Sequence, residues 1–186
     1  MQNELQQILQ GRLSVFIDAS NVFFISKRLR VQIDYAKVLD FFRTFDPNVK
    51  CYLYTAYQED YEKQVEYLNG LEEIGIIVRK KPLKFIQTKQ MKSAKSKVKS
   101  NEVEEGFFKG NMDVELAIDA IRMMSQYDTL VLFSGDSDFY SLLAYLKEHD
   151  KKVVVISHPG FVAEELTSIG DFINIGEYLK KKRNKK

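Results

Sequence analysis

Apolar runs too short to be helices recur along this chain, and amphipathic helical periodicity fills the intervals between them. The runs are Leu13 to Asp18, Val49 to Ala56, Ile76 to Arg79, Thr129 to Phe133 and Val153 to Ser157, with Phe172 to Ile175 a candidate sixth. Segments such as LSVFID and TLVLF show almost no polar alternation, so they read as strands buried on both faces. Asp34 reads as the N-cap of a helix reaching about Phe45, in which Val38, Leu39 and Phe42 repeat at helical spacing and after which Pro47 stops the helix. Tyr61 to Ile74, closed by Gly75, reads as a second helix, Asp113 to Gln126 as a third and Ser137 to Glu148 as a fourth. Parallel neighbours need crossovers, and this alternation supplies them. The expectation is an α/β fold with a mainly parallel central sheet. At 186 residues the chain is long enough for one well-packed domain and short for two.

Two of the strands end in acid. Asp18 closes VFIDASN, and Asp136 and Asp138 follow LVLFSG; a third acidic station, Asp113 in KGNMDVELAIDA, opens a helix. Open parallel sheets bind ligands beyond the carboxyl ends of their strands, where strand order reverses. Carboxylates gathered there suit Mg²⁺ or Mn²⁺, hard cations that prefer charged oxygen ligands and substrate phosphate oxygens. Such a site fits phosphodiester hydrolysis with one metal, or with two about 4 Å apart. Each acid also has a structural role open to it. Asp18 and Asn21 are favoured helix caps, Asp113 in a first helical turn interacts well with the helix dipole, and either Asp136 or Asp138 can cap. A cap needs only one acid, however, and two acids at i and i+2 repel unless a cation offsets them. Asp119, among Leu116, Ala117, Ile118, Ala120 and Ile121, needs a partner; the choices are support for the site from behind or a pair with Arg122.

The net charge of +2 conceals a strong segregation. Arg79 to Lys99 holds nine basic residues and no acid, and six of the seven residues from Lys180 to Lys186 are basic. Without those 15, the remaining 13 basic residues face 26 acidic ones, a formal charge of −13. An acidic body with basic appendages can attract a polyanion while keeping its own carboxylates for metal; lysine-rich loops that only aid solubility are the plainer alternative. The stretch from Pro82 to Glu105 lacks sustained periodicity and reads as a long basic loop, with Leu83 to Ile86 and Glu105 to Phe108 extending the sheet. The single cysteine, Cys51, excludes an internal disulfide framework and a cysteine-based zinc cluster. No segment approaches the roughly 20 apolar residues of a membrane span. A soluble, cytoplasmic protein is expected, with no membrane partner and with a homodimer as a candidate assembly.

Taken in order, IDASN, KGNMDVELAIDA and LVLFSGDSDF resemble the NYN domain family, in particular its LabA-like branch within the PIN-like nuclease superfamily. The resemblance spans about Leu13 to Ile175. It implies a three-layer Rossmann-like PIN-type domain with strand order 3-2-1-4-5, and metal-dependent ribonuclease activity. By motif position, Asp18, Asp113, Asp136 and Asp138 match the family's acids, Asn21 matches its asparagine after the first strand, and Asp119 matches a further LabA-like acid. The expected organisation is an N-terminal extension over residues 1–10, a nuclease domain over 11–178 with a basic insertion at 79–102, and a basic tail over 179–186.

The expected chemistry is Mg²⁺- or Mn²⁺-dependent hydrolysis of RNA. Asp18, Asp136 and Asp138 hold the metal, Asp113 completes the cluster or orients water, and Asn21, Lys109, Ser134 and Ser137 contact phosphate. Lys89, Lys92 and Lys95 track the backbone, and Phe85, Phe107, Phe108 and Phe139 are candidates for base stacking or for core packing. A non-catalytic RNA-binding regulator or scaffold is the alternative. A dehalogenase-type phosphatase wants a second aspartate two residues after Asp18, where Ser20 stands, and the two histidines, His149 and His158, have no catalytic motif around them.

Overall fold

The computed structural model describes residues 2–87 and 106–178. Lys89, Lys92 and Lys95, the middle of the basic stretch and the basic tail lie outside the described residues.

The central sheet is built from β1 (Leu13–Asp18), β2 (Lys50–Tyr57), β3 (Ile77–Pro82), β6 (Thr129–Phe133), β7 (Lys152–Ser157) and β8 (Asp171–Asn174). Their order across the sheet is β3-β2-β1-β6-β7-β8, and every neighbouring pair is parallel. Counting only these strands, this is the expected 3-2-1-4-5 order carried one strand further, because the candidate sixth run joins the edge beside β7. The order reverses between β1 and β6. Both are buried along their whole length.

Helices cover the two faces. On one side α1 (Gln2–Ile8), α2 (Ala19–Leu29), α3 (Tyr35–Arg43) and α4 (Glu62–Glu73) bring Leu5, Val22, Leu39, Phe42, Leu68 and Leu71 against Val15, Ile17, Leu53, Val131 and Phe133. On the other, α5 (Asp113–Arg122), α6 (Tyr140–Glu148) and α7 (Glu164–Ile169) bring Leu116, Ala120, Leu143, Leu146 and Leu166 against Phe16, Tyr54, Leu130 and Leu132. Successive side chains of a strand point to opposite faces, so Val15 and Ile17 meet the first layer while Phe16 meets the second. Phe16 stacks at 5.1 Å on Tyr52 and at 6.0 Å on Tyr54. A last short helix, α8 (Ile175–Tyr178), follows β8.

Asp34 caps α3 as expected, its side chain accepting a hydrogen bond from the Lys37 N–H. The third and fourth helices are each interrupted: Met124–Gln126 and Ser137–Phe139 are separate 3-10 turns. The ends of the basic stretch do not extend the sheet. They form β4 (Lys84–Gln87) and β5 (Gly106–Lys109), a separate antiparallel ribbon. Pro82 pairs with Tyr57 on the edge strand, where its missing N–H faces away from β2, and the Leu83 N–H makes the last ladder bond, to the Tyr57 carbonyl at 2.8 Å, before the chain leaves the sheet.

Part of the basic stretch is neutralised locally. Arg79 meets Asp119 at 3.4 Å, Lys80 meets Glu72 at 3.6 Å and Lys81 meets Glu115 at 2.6 Å. Asp119 also accepts a hydrogen bond from the Tyr54 hydroxyl at 3.0 Å. Its partners are therefore Tyr54 and Arg79, across an open groove of about 460 Å³ that Arg122 also lines. Arg122 is not needed as its pair because Arg79 reaches it from the facing strand.

Candidate metal centre

Strand register assembles the site. Ile17 lies opposite Phe133, so the next residues along the two parallel strands, Asp18 and Ser134, come side by side. The Ser134 hydroxyl donates to Asp18 Oδ2 at 3.0 Å. Asp18 Oδ1 accepts from the Ser20 N–H at 3.1 Å, the Ser20 hydroxyl at 2.6 Å and the Asn21 N–H at 3.2 Å, which caps α2. Asp18 is 5% exposed and Ser134 fully buried. A buried carboxylate is tolerated when donors meet it, and here three meet Oδ1 and one meets Oδ2.

The loop after β6 is pinned from both sides. Asn21 Oδ1 accepts from the Gly135 N–H at 3.0 Å, and the Gly135 carbonyl accepts from the Ala163 N–H at 3.0 Å. A Cβ at Gly135 would stand 1.8 Å from the Phe161 carbonyl oxygen, so only glycine lets the loop after β7 approach this closely. Ser134 Oγ also accepts from the Asp136 N–H at 3.2 Å, and Asp136 Oδ1 accepts from the Asp138 N–H at 3.0 Å, forming the cap of the 3-10 turn. Asp136 and Asp138 are thus held at one end of that turn.

Asp113 arrives from the opposite side as the first residue of α5, which Leu116 and Ala120 anchor to the sheet. Asn111 fixes it twice, donating from Nδ2 to Asp113 Oδ2 at 2.6 Å and accepting from the Asp113 N–H at 2.7 Å. Asp113, Asp136 and Asp138 each present one carboxylate oxygen, and these oxygens lie within 4.8 Å of one another. The Asp113 pKa is raised: burial disfavours its charge, the Asn111 hydrogen bond pulls the other way, and repulsion from Asp18, Asp136 and Asp138 adds to the burial effect. Three all-oxygen anionic donors, one of them partly desolvated among the others, fit a hard divalent cation such as Mg²⁺ or Mn²⁺ better than a soft metal.

The residues singled out in the sequence divide into groups. Asp113, Asp136 and Asp138 converge, while Asp18, whose charge repels that of Asp113, accepts hydrogen bonds from Ser20, Asn21 and Ser134. The Asn21 side-chain oxygen and the Ser134 hydroxyl are committed to the loop and to Asp18. Ser137 is exposed beside the acids, and Lys109 is the last residue of β5. Phe139 is 2% exposed and belongs to the core. Two participants escaped the sequence reading. Ser20 was visible within IDASN as a hydroxyl at the cap, whereas the pincer of Asn111 on Asp113 carries only the weak signal of an Asn two residues before an Asp.

Comparison with known proteins agrees with this architecture. The NYN domain matches residues 12–176. The chain is 32% identical over 163 residues to Low amplitude and bright protein LabA of Synechococcus elongatus, covering 87% of this chain and 81% of that one. It is 39% identical over 88 residues to an uncharacterized protein of Methanocaldococcus jannaschii, covering 41% of this chain and 36% of that one. The crystal structure of a protein of unknown function from Vibrio parahaemolyticus superimposes with a TM-score of 0.68 at 23% identity, covering 91% of this chain and 96% of the other, and shows the same fold. No helix among the described residues is long and apolar enough to cross a membrane. With a match running from β1 to α8 and a relative aligned over most of both chains, the protein belongs to the NYN domain family, a PIN-like nuclease family.

Proposed function

We propose that this protein is a Mg²⁺- or Mn²⁺-dependent ribonuclease that hydrolyses RNA phosphodiester bonds in the cytoplasm. The observation that carries the reading is the convergence of Asp113, Asp136 and Asp138 beyond the strand ends, at the place where strand order reverses. These three carboxylates would hold the ion. When bound, it supplies positive charge to the phosphoryl oxygens and acidifies the attacking water.

The protein's own groups arrange the rest. Asp18 and Ser134 fix the spacing between β1 and the Asp136 turn, and Asn21 fixes Gly135, so these residues position the acids. In the reaction the water oxygen bonds to phosphorus, a carboxylate of the cluster takes its proton, and the leaving ribose oxygen departs and is protonated from solvent. Ser137, exposed at the turn, and Lys109, at the end of β5, are candidates for phosphate contacts. Lys89, Lys92 and Lys95 would track the RNA backbone, making binding fall steeply with salt.

One observation favours a second reading. Asp18 accepts four hydrogen bonds from its own surroundings, three of them on Oδ1, a structural use of this acid that is compatible with a non-catalytic RNA-binding regulator. Incubating purified protein with end-labelled RNA in Mg²⁺, Mn²⁺ or EDTA separates the two. Products that require metal support the nuclease. Salt-sensitive RNA binding without products under every metal supports the regulator.

A further inference from the structure

Beside the carboxylates, across Gly135, stands a group of exposed and half-buried rings that the reading above does not use. Phe23 is 68% exposed and Phe24 48%, although both lie in the helix that Asp18 caps. Phe24 packs edge-on against Phe161 at 5.7 Å, Phe161 lies 5.6 Å from the His158 ring, and the Arg28 guanidinium sits 5.3 Å from the Phe24 centroid. Single exposed apolar residues are ordinary on protein surfaces, but a gathered set of rings with a cation over one of them is not.

The group is rigidly tied to the acids. The Phe161 carbonyl abuts Gly135, the residue before Asp136, and Ala163 bonds to the Gly135 carbonyl. Phe24 follows Asp18 by six residues of helix, about 9 Å along the axis. Charge identifies what the rings would meet. The helix ASNVFFISKRL contains no acid, and Lys27, Arg28 and the capping Arg30 close it, so aromatic surface is followed by positive charge on one element. Rings that accept bases, interleaved with cations that meet phosphates, are the recognition pattern for single-stranded nucleic acid.

We propose that Phe23, Phe24 and Phe161, with Arg28 and His158, form a stacking subsite for the bases of single-stranded RNA flanking the carboxylate cluster. This deepens the ribonuclease reading and rests on it.

The test measures binding, not cleavage. Fluorescence anisotropy in EDTA at fixed salt compares wild type with Phe23→Leu/Phe24→Leu, which keeps apolar volume but removes the π faces, and with Phe23→Tyr/Phe24→Tyr, which restores them. The ligands are a single-stranded RNA and an oligomer of equal length lacking its bases. The Leu variant should bind the base-bearing RNA about five- to 100-fold more weakly than wild type, the Tyr variant should recover most of that loss, and all three should bind the abasic oligomer alike. Equal losses on both ligands, or no loss at all, would overturn the subsite. So would a wild-type self-association that the Leu variant abolishes while RNA binding stays unchanged, since the rings would then meet a second copy of the chain. If wild type binds and cleaves RNA and the variants do the same, the subsite fails alone. If wild type neither binds nor cleaves RNA, the ribonuclease reading fails with it.

Discussion

The Ser134 hydroxyl donates to Asp18 Oδ2 at 3.0 Å, joining the ends of β1 and β6 at the point where strand order reverses. Through this bond the α2 cap, the Gly135 loop and the Asp136 turn behave as one unit. Asp18→Ala should therefore cost about 2 to 3 kcal/mol, from a lost helix cap and donors left unpaired in a buried place. Asp18→Asn, which keeps one acceptor, should cost about 1 kcal/mol. Denaturant unfolding of the three proteins checks the order.

The acid cluster should destabilise the metal-free protein in a pH-dependent way. Asp113 has a raised pKa in the fold, chiefly through burial and then through its acidic neighbours, against the pull of Asn111. Below the unfolded value of about 3.9, both states are protonated and the penalty is absent. As pH rises the unfolded chain ionises first, so the penalty grows and is complete above the folded pKa. Melting temperatures in EDTA should shift in favour of Asp113→Asn, relative to wild type, as pH is raised from acid to neutral. Parallel profiles would contradict this origin of the shift.

An ion that offsets the repulsion must also stabilise the fold. Adding Mn²⁺ well above its dissociation constant should raise the wild-type melting temperature by several degrees, since binding at 100 times that constant contributes about 2.7 kcal/mol. The rise should be absent in Asp136→Asn. Differential scanning calorimetry with and without EDTA reads both.

Gly135 is a second point of close approach. A methyl group there would meet the Phe161 carbonyl oxygen at 1.8 Å, so Gly135→Ala must displace either the Asp136 turn or the loop after β7. A cost of about 1 to 3 kcal/mol is expected for such overpacking. Urea unfolding measures it, and weaker Mn²⁺ binding by the same variant would show that the acids moved with the loop.

Strand signals were strong where burial was two-sided. LSVFID and TLVLF match β1 and β6 residue for residue, because an apolar run with no polar alternation has few other solutions. The α2 helix was hidden for the same reason. Val22, Phe23, Phe24 and Ile25 are consecutive apolar residues, of which only Val22 and Ile25 are buried, so periodicity gave no helical face. The acids stood out in the sequence, but their division did not. The Ser134 hydroxyl that ties Asp18 to the end of β6 comes from 116 residues away in sequence. The partners of Asp119 are also distant in sequence, since Tyr54 and Arg79 reach it from β2 and β3.

The most direct measurement is the cleavage of end-labelled RNA and matched DNA by wild type and Asp136→Asn in Mn²⁺, Mg²⁺ and EDTA, using preparations whose folding and RNA binding have been verified. The account predicts RNA products that require metal and that are largely lost in the variant. Metal-dependent cleavage undiminished in Asp136→Asn, or no cleavage by a folded, RNA-binding wild type, would contradict it.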